Sequence, residues 1–464
     1  MLFNSYTFLV FLTIILIVYY STSDWNKRKF LLLISSYIFY SAWNPPFVIL
    51  LWISTVLDWT AAKKIYASSK KKYKISWLLF SLFVNLGLLI FFKYGNFILE
   101  NINFISPRLY NFESYSIILP VGISFYTFQT LSYTLDIYKG NAKPCKSFLD
   151  YALYVTFFPQ LVAGPIVRSD EFLAQCEIEK PFYWSNLGKG IFWLTTGLFL
   201  KIVVADYLLA PVVEIVFGTN GKVDVVSSWI GTLAFSSQIL CDFAGYSICA
   251  IGVAKMLGFS LPKNFKFPYA SKGFSEFWRR WHISLSSWLR DYVYIPLGGN
   301  RKTNLRTYEN LMVTMLIGGL WHGASWTFIF WGFLHGAFLA IERLLIKRLN
   351  FDRIPNFIRI AFVFILTCIT WVFFRADSFT QAWNLISSMV GIEGGQSLLS
   401  LRDVLVVLFV TITMLISSYL FRNLDLEFEI SQIKWWKVSL ILSFLVFFIV
   451  TLSGEDQSFI YFQF

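Results

Sequence analysis

Three histidines, His282, His322 and His335, are the residues of this 464-residue chain best equipped for chemistry. His322 stands in GGLWHGASWTF, Gly318 to Phe328, where an imidazole interrupts an apolar run. A polar group there costs free energy unless it finds a partner. Imidazole is the usual general base near neutral pH, worth about 10² to 10⁴ in rate when it takes a proton from an attacking hydroxyl. Trp321 and Trp326 flank the ring, and the small residues Gly318, Gly319, Gly323 and Ala324 let helices approach closely or leave room for a narrow channel. On these residues alone two readings stay open: a base for acyl transfer, or a packing histidine with its hydrogen bonds satisfied.

Other chemistries fit the spacing less well. The histidines are 40 and 13 positions apart, whereas zinc sites usually place at least two ligands close together. Thirteen residues of continuous helix also turn through about 220°, so His322 and His335 would face different ways. No metal is expected. Ser325 and Ser247 lie in GASWT and GYSIC, which are not nucleophile elbows. The five cysteines show no CxxC spacing and read as packing residues. Polar groups inside apolar runs are functional candidates, here Asp242, Lys201, Asp206 and Arg375. Lys201 and Asp206 fit a pair near a helix end, and Arg375 an interfacial helix end. Asp242, in ILCDFAGYS, either holds a histidine or backbone group or touches substrate.

These residues must be positioned by membrane-spanning helices. The chain is 56% hydrophobic, 20% aromatic and 14% charged, and roughly a dozen runs have the length needed to cross a bilayer. The clearest lie near 2–20, 75–92, 116–135, 190–213, 226–257, 309–342, 357–374, 404–421 and 437–453. The run Phe30 to Trp59 is broken at Asn44, Pro45 and Pro46 into two short helices, and 309–342 is long enough for two. The first run lacks the flanks of a cleaved signal and stays as a span. Lys27 to Lys29, Lys63 to Lys74 and Lys263 to Arg306 belong in the cytoplasm, which puts the N-terminus outside. The net charge of +12 then reflects loops near anionic lipid, not nucleic-acid binding. The expectation is a single all-α polytopic membrane domain over 1–464, with about 11–12 transmembrane helices.

The least apolar interval, Asn264 to Asn310, contains FSEFWRRWHISLSSWLRDYVYIPLGGNR. On one helix, Phe274, Phe277, Trp278, Trp281, Leu285, Trp288, Leu289 and Tyr292 form a stripe, with Glu276, Arg279, Arg280, Arg290 and Asp291 opposite. Such a helix lies along the membrane interface, with a cytoplasmic loop completing the segment at about 273–306. His282 sits at the edge of the stripe. Pro296, Gly298 and Gly299 end the helix and open a tight loop. On either side of them, Arg290, Tyr294, Arg301 and Lys302 form either a docking patch for an acidic carrier or the phosphates of coenzyme A, or a basic loop facing lipid.

The sequence resembles the membrane-bound O-acyltransferases, specifically the bacterial branch that includes the alginate O-acetyltransferase membrane subunit. The matching stretches are PVGISFYTFQTLSY (Pro120 to Tyr133), FFPQLVAGPIVR (Phe157 to Arg168), DFAGYS (Asp242 to Ser247), LPKNFKFPY (Leu261 to Tyr269), FWRRWHISLSSWLRDYVYIPLGGNR, GLWHGASW, WVFFRA (Trp371 to Ala376) and the closing SFIYFQF. The resemblance implies interfacial and re-entrant helices and a ring of spans around a central channel, where a cytoplasmic acyl donor meets an acceptor from the other side. It makes His322 of WHG catalytic and His282 of RWH a second active-site residue. Asp242, Trp321, Trp281 and Arg280 are the accompanying candidates for substrate binding. One departure is Ile248 in GYSICAIG, where polysaccharide acetyltransferases often carry an acidic residue.

The implied function is transfer of an acyl group, acetyl by preference, across the bacterial inner membrane for O-acylation of an exported or cell-wall polysaccharide. The donor expected is acetyl-CoA or an acyl-carrier thioester, with no tightly bound cofactor. Expected partners are that donor or carrier, an extracytoplasmic acyltransferase or acceptor protein, the glycan and membrane lipid. YIPLGGNR favours the acetyltransferase branch, whereas DFAGYS also looks like the D-alanyl transferase of teichoic acids. A glycan or lipid transporter is the non-enzymatic alternative, although the two related halves with paired broken helices that it would show are not evident.

Overall fold

The computed structural model describes residues 1–106, 117–219, 221–346, 353–392, 394–452 and 459–460. Of the closing SFIYFQF, only Phe459 and Ile460 are therefore described; positions 116 and 453, at the edges of two apolar runs, lie outside the described residues too. The regular structure among the described residues is helical, apart from a bridge between Val223 and Gln396. Six of these helices are long and apolar enough to cross a membrane, or seven if the bent pair Leu426–Gln432 and Trp435–Thr451 is one span. The protein is thus an all-α, multi-pass membrane protein. Other apolar runs form shorter or interrupted helices, such as the 16 residues Tyr6–Ser21 and Trp184–Leu198, which continues as the π-helical stretch Phe199–Leu209.

The chain divides into two compact units, residues 1–194 with 249–262, and 195–248 with 263–464. In the first, helices α1 (Val48–Ala67), α2 (Lys71–Leu89) and α3 (Ile123–Lys139) pack against one another. The break before α1 falls at Asn44, where Pro45 and Pro46, lacking N–H donors, open a short 3-10 turn. Asp58 of α1 is bound by Ser81 and Asn85 of α2, so the buried helix contact is polar and hydrogen-bonded.

The second unit carries the candidate site. It contains residues up to Ile248 of α4 (Val225–Met256), then α5 (Phe274–Arg280), α6 (Ile283–Leu289), α7 (Asn304–His322), α8 (Trp326–Ile346), α9 (Asn356–Arg375) and α10 (Leu401–Phe421). Helices α7 and α8 form a hairpin whose turn is Gly323 to Ser325. Ser325 caps α8: its Oγ accepts the Thr327 N–H at 3.2 Å. The hairpin is tight because a Cβ on Gly319 would strike the Phe328 carbonyl, and one on Gly332 the Met315 carbonyl. A Cβ on Gly323 would enter the Phe328 ring.

The continuous interfacial helix expected from Phe274 to Tyr292 is not formed. It breaks into α5, α6 and the π-helical turn Arg290–Tyr294, with the break at His282, whose φ of +41° lies in the left-handed region. The aromatic stripe does not lie on lipid either. Phe274, Phe277, Trp278, Trp281, Leu285, Trp288 and Leu289 are all buried in the protein. The sequence pattern measured a one-sided apolar face correctly, but the face is covered by other helices of the unit, among them α8.

Candidate active site

His322 is the last residue of α7, and the run 309–342, long enough for two helices, is divided after it at Gly323, which places His335 on α8. His282 reaches the same place from the junction of α5 and α6. The two imidazoles face one another with ring centroids 6.3 Å apart. Trp321 contacts both, at 5.7 Å from His282 and 5.1 Å from His322. Trp331 of α8 and Phe374 of α9 close over His322 at 5.0 and 5.3 Å. Phe243 of α4 and Phe265 form the wall on the His282 side. Two imidazoles thus share one aromatic enclosure. His322 is 2% exposed, so admitting a substrate takes a rearrangement of this wall.

The other candidates occupy different positions. Asp242 lies one residue before Phe243, and its carboxylate bonds to Lys201 Nζ at 2.7 Å and accepts the Ile460 N–H at 2.9 Å. Lys201 also pairs with Asp206 at 2.8 Å, giving one buried cation between two carboxylates. Phe459 stacks near Phe243 and Tyr246, so this ion network pins residues 459–460 beside the aromatic wall. Trp281 turns away from His322 into a layer with Phe277, Tyr269 and Trp371. Arg280 is occupied as a clamp, bonding to Glu276 and to the carbonyls of Lys266 and Arg422. Burial pushes the Glu276 carboxyl up, but the Lys272 N–H, Arg280 and Arg422 outweigh it and hold the group below its ordinary range.

Of the proposed docking residues, Arg290 is exposed but paired with Asp291 at 2.7 Å, Tyr294 is half-buried, and Arg301 and Lys302 are exposed. Arg375 pairs with Glu214 at 3.0 Å. His335 is separated from His322 by Trp331, whose ring lies 4.7 Å from it; its Nε2 is 3.1 Å from the Thr370 hydroxyl and its ring is stacked on Phe277. Among the described residues no cluster of three or more metal-ligating side chains forms. Two residues escaped the sequence reading as individual positions. Trp331 and Asn264 lie within noted stretches, but nothing in their spacing marks them as neighbours of the imidazoles.

This arrangement can move a proton between two imidazoles and a bound hydroxyl inside a dry enclosure, which is the requirement of acyl transfer to oxygen. The model of the membrane-bound O-acyltransferase family matches residues 145–379, which include both imidazoles. The chain belongs to that family and is an acyltransferase. It is 39% identical to the probable alginate O-acetylase of Azotobacter vinelandii, over 84% of this chain and 78% of that protein. It is 34% identical to the peptidoglycan O-acetyltransferase of Helicobacter pylori, over 100% of this chain and 98% of that protein. A shorter match, 30% identical over 44% of this chain and 54% of the other, is to the teichoic acid D-alanyltransferase of Bacillus subtilis.

Proposed function

We propose that the protein moves an acetyl group from a cytoplasmic thioester, acetyl-CoA or an acyl carrier, across the inner membrane to O-acylate an exported or cell-wall polysaccharide. The observation that carries this is the pairing of His322 and His282, 6.3 Å apart within one aromatic enclosure. His322 takes the proton of the acceptor hydroxyl, the oxygen attacks the thioester carbonyl, the C–S bond breaks, and the proton passes to the departing sulfur. His282 either orients the substrate or stabilises the developing charge. The acceptor is the glycan itself or a hydroxyl of a partner protein outside the membrane. Arg301 and Lys302 receive the carrier or the donor's phosphates, with the basic loops cytoplasmic and the N-terminus outside. Acetyl transfer is favoured over D-alanyl transfer because the two O-acetylating relatives match over most or all of this chain, and the D-alanyltransferase over less than half.

His322→Ala, purified at wild-type yield in membranes, should lower incorporation of labelled acetyl into the surface polymer by at least about 10²-fold. Unchanged acetyl content would refute the assignment. A transporter would move unlabelled glycan and transfer no label.

A further inference from the structure

Asn264 lies 18 residues before His282 and is 1% exposed. Its side-chain Oδ1 receives the Ser284 backbone N–H at 3.2 Å and the Ser284 hydroxyl at 2.9 Å. The same oxygen faces His282 Nδ1 at 3.2 Å, while the amide Nδ2 donates to Ser247 Oγ at 3.3 Å. The Asn264 carbonyl also accepts the Ile283 N–H at 2.9 Å. Asn264 therefore grips the chain on the C-terminal side of the left-handed residue His282, and takes the N–H groups that would have carried a helix through it.

The contacts settle which way the amide lies. A backbone N–H only donates, so the atom facing Ser284 N is an acceptor, and that atom is Oδ1. A ring nitrogen facing the same oxygen must then carry hydrogen. A neutral imidazole has one N–H, and the bond made by one nitrogen sets the character of the other. We propose that Asn264 is a positioning residue that fixes His282 as the Nδ1–H tautomer, leaving Nε2 as a hydrogen-bond acceptor toward the substrate. This rests on the two-histidine site of the proposed function and decides between the two roles left open there. A bare Nε2 cannot donate to the oxygen that gains charge in the transition state. His282 orients the incoming substrate by accepting a hydrogen from it, and the oxyanion takes its donor elsewhere.

The chain has only three histidines, so protein labelled with ¹⁵N-histidine presents three rings. His335→Gln and His322→Gln assign them by subtraction. In the wild type the His282 ring should show a protonated Nδ1 and an unprotonated Nε2; the opposite pattern overturns the proposal whatever the activity. Asn264→Leu removes the acceptor and should mix the tautomers, with kcat for acetyl transfer from acetyl-CoA falling on the order of 10²-fold and KM little changed. Wild-type kcat in folded Asn264→Leu overturns it too. Asn264→Asp keeps an oxygen facing Nδ1 and should restore the tautomer. Its carboxylate also favours imidazolium, so activity should be low at neutral pH and recover as pH rises. Among the described residues, rings of Phe243, Phe265, Trp321 and His322 face His282, and of these four His322 is the titratable one. A pH profile for Asn264→Asp identical to that of the wild type would count against the proposal. If Asn264→Leu does not fold, the wild-type spectrum and Asn264→Asp still decide it. Absence of acetyl transfer in the wild type would sink the proposed function while leaving the tautomer readable.

Discussion

Asp58 in the first unit and Asp242 in the second are equally withdrawn from solvent, at 0% and 1% exposure, yet their charges are handled in opposite ways. Asp242 sits against the ammonium of Lys201, which Asp206 shares. Asp58 is met by neutral donors, the Ser81 hydroxyl at 2.5 Å and the Asn85 amide at 2.9 and 3.1 Å. Among the described residues no cationic side chain pairs with Asp58. A buried ion pair is interdependent, because removing one member strands the charge of the other. Neutral hydrogen bonds fail one at a time. The network beside the aromatic wall is therefore the more brittle of the two, and it is also the one that holds residues 459–460.

The largest effect should come from Lys201→Met, which leaves Asp206 and Asp242 without their cation. A loss of about 3–5 kcal/mol is expected, read as a lowered unfolding midpoint in detergent by tryptophan fluorescence. Asp58→Ala should cost less, about 1–3 kcal/mol, the desolvation of a hydroxyl and an amide left without their acceptor. If the two variants cost the same, Asp58 carries a counter-charge of its own and the contrast fails. The smallest effect belongs to the exposed pair Lys263 and Asp425, 2.7 Å apart, where the Lys263 hydrogen bond holds the Asp425 carboxyl below its ordinary range. Any stability from that depressed group is present above its unfolded value and lost as pH falls through the folded one. Solvent screening makes it slight, so Asp425→Asn should leave the midpoint unchanged at neutral pH, in low and high salt alike. A salt-dependent drop would show that surface pairing matters here as much as buried pairing.

Much of this was legible in the sequence where the signal is local. The apolar runs, the proline break before α1 and the isolated imidazole of WHG all follow from neighbours within a turn or two. Sequence reading left Asp242 open between holding a group and touching substrate. Its partners lie 41 positions before it and 218 after it, beyond any spacing rule. The break at His282 was hidden for a related reason. The periodicity of FSEFWRRWHISLSSWL continues through it, and it is overridden by tertiary bonds, those of Asn264 to Ile283 and Ser284 and that of the Lys266 N–H to the Arg280 carbonyl. Arg280 looked available for substrate because sequence shows a cation's charge but not the carbonyls that occupy it.

The closeness of α7 and α8 at Gly319 and Gly332 has a mechanical consequence. With main chain resting on main chain, neither helix can slide or roll past the other without collision, so His322 is mounted on an anvil and not on a lever. The hairpin therefore moves as one body, and relative motion belongs between it and the helices packed around it.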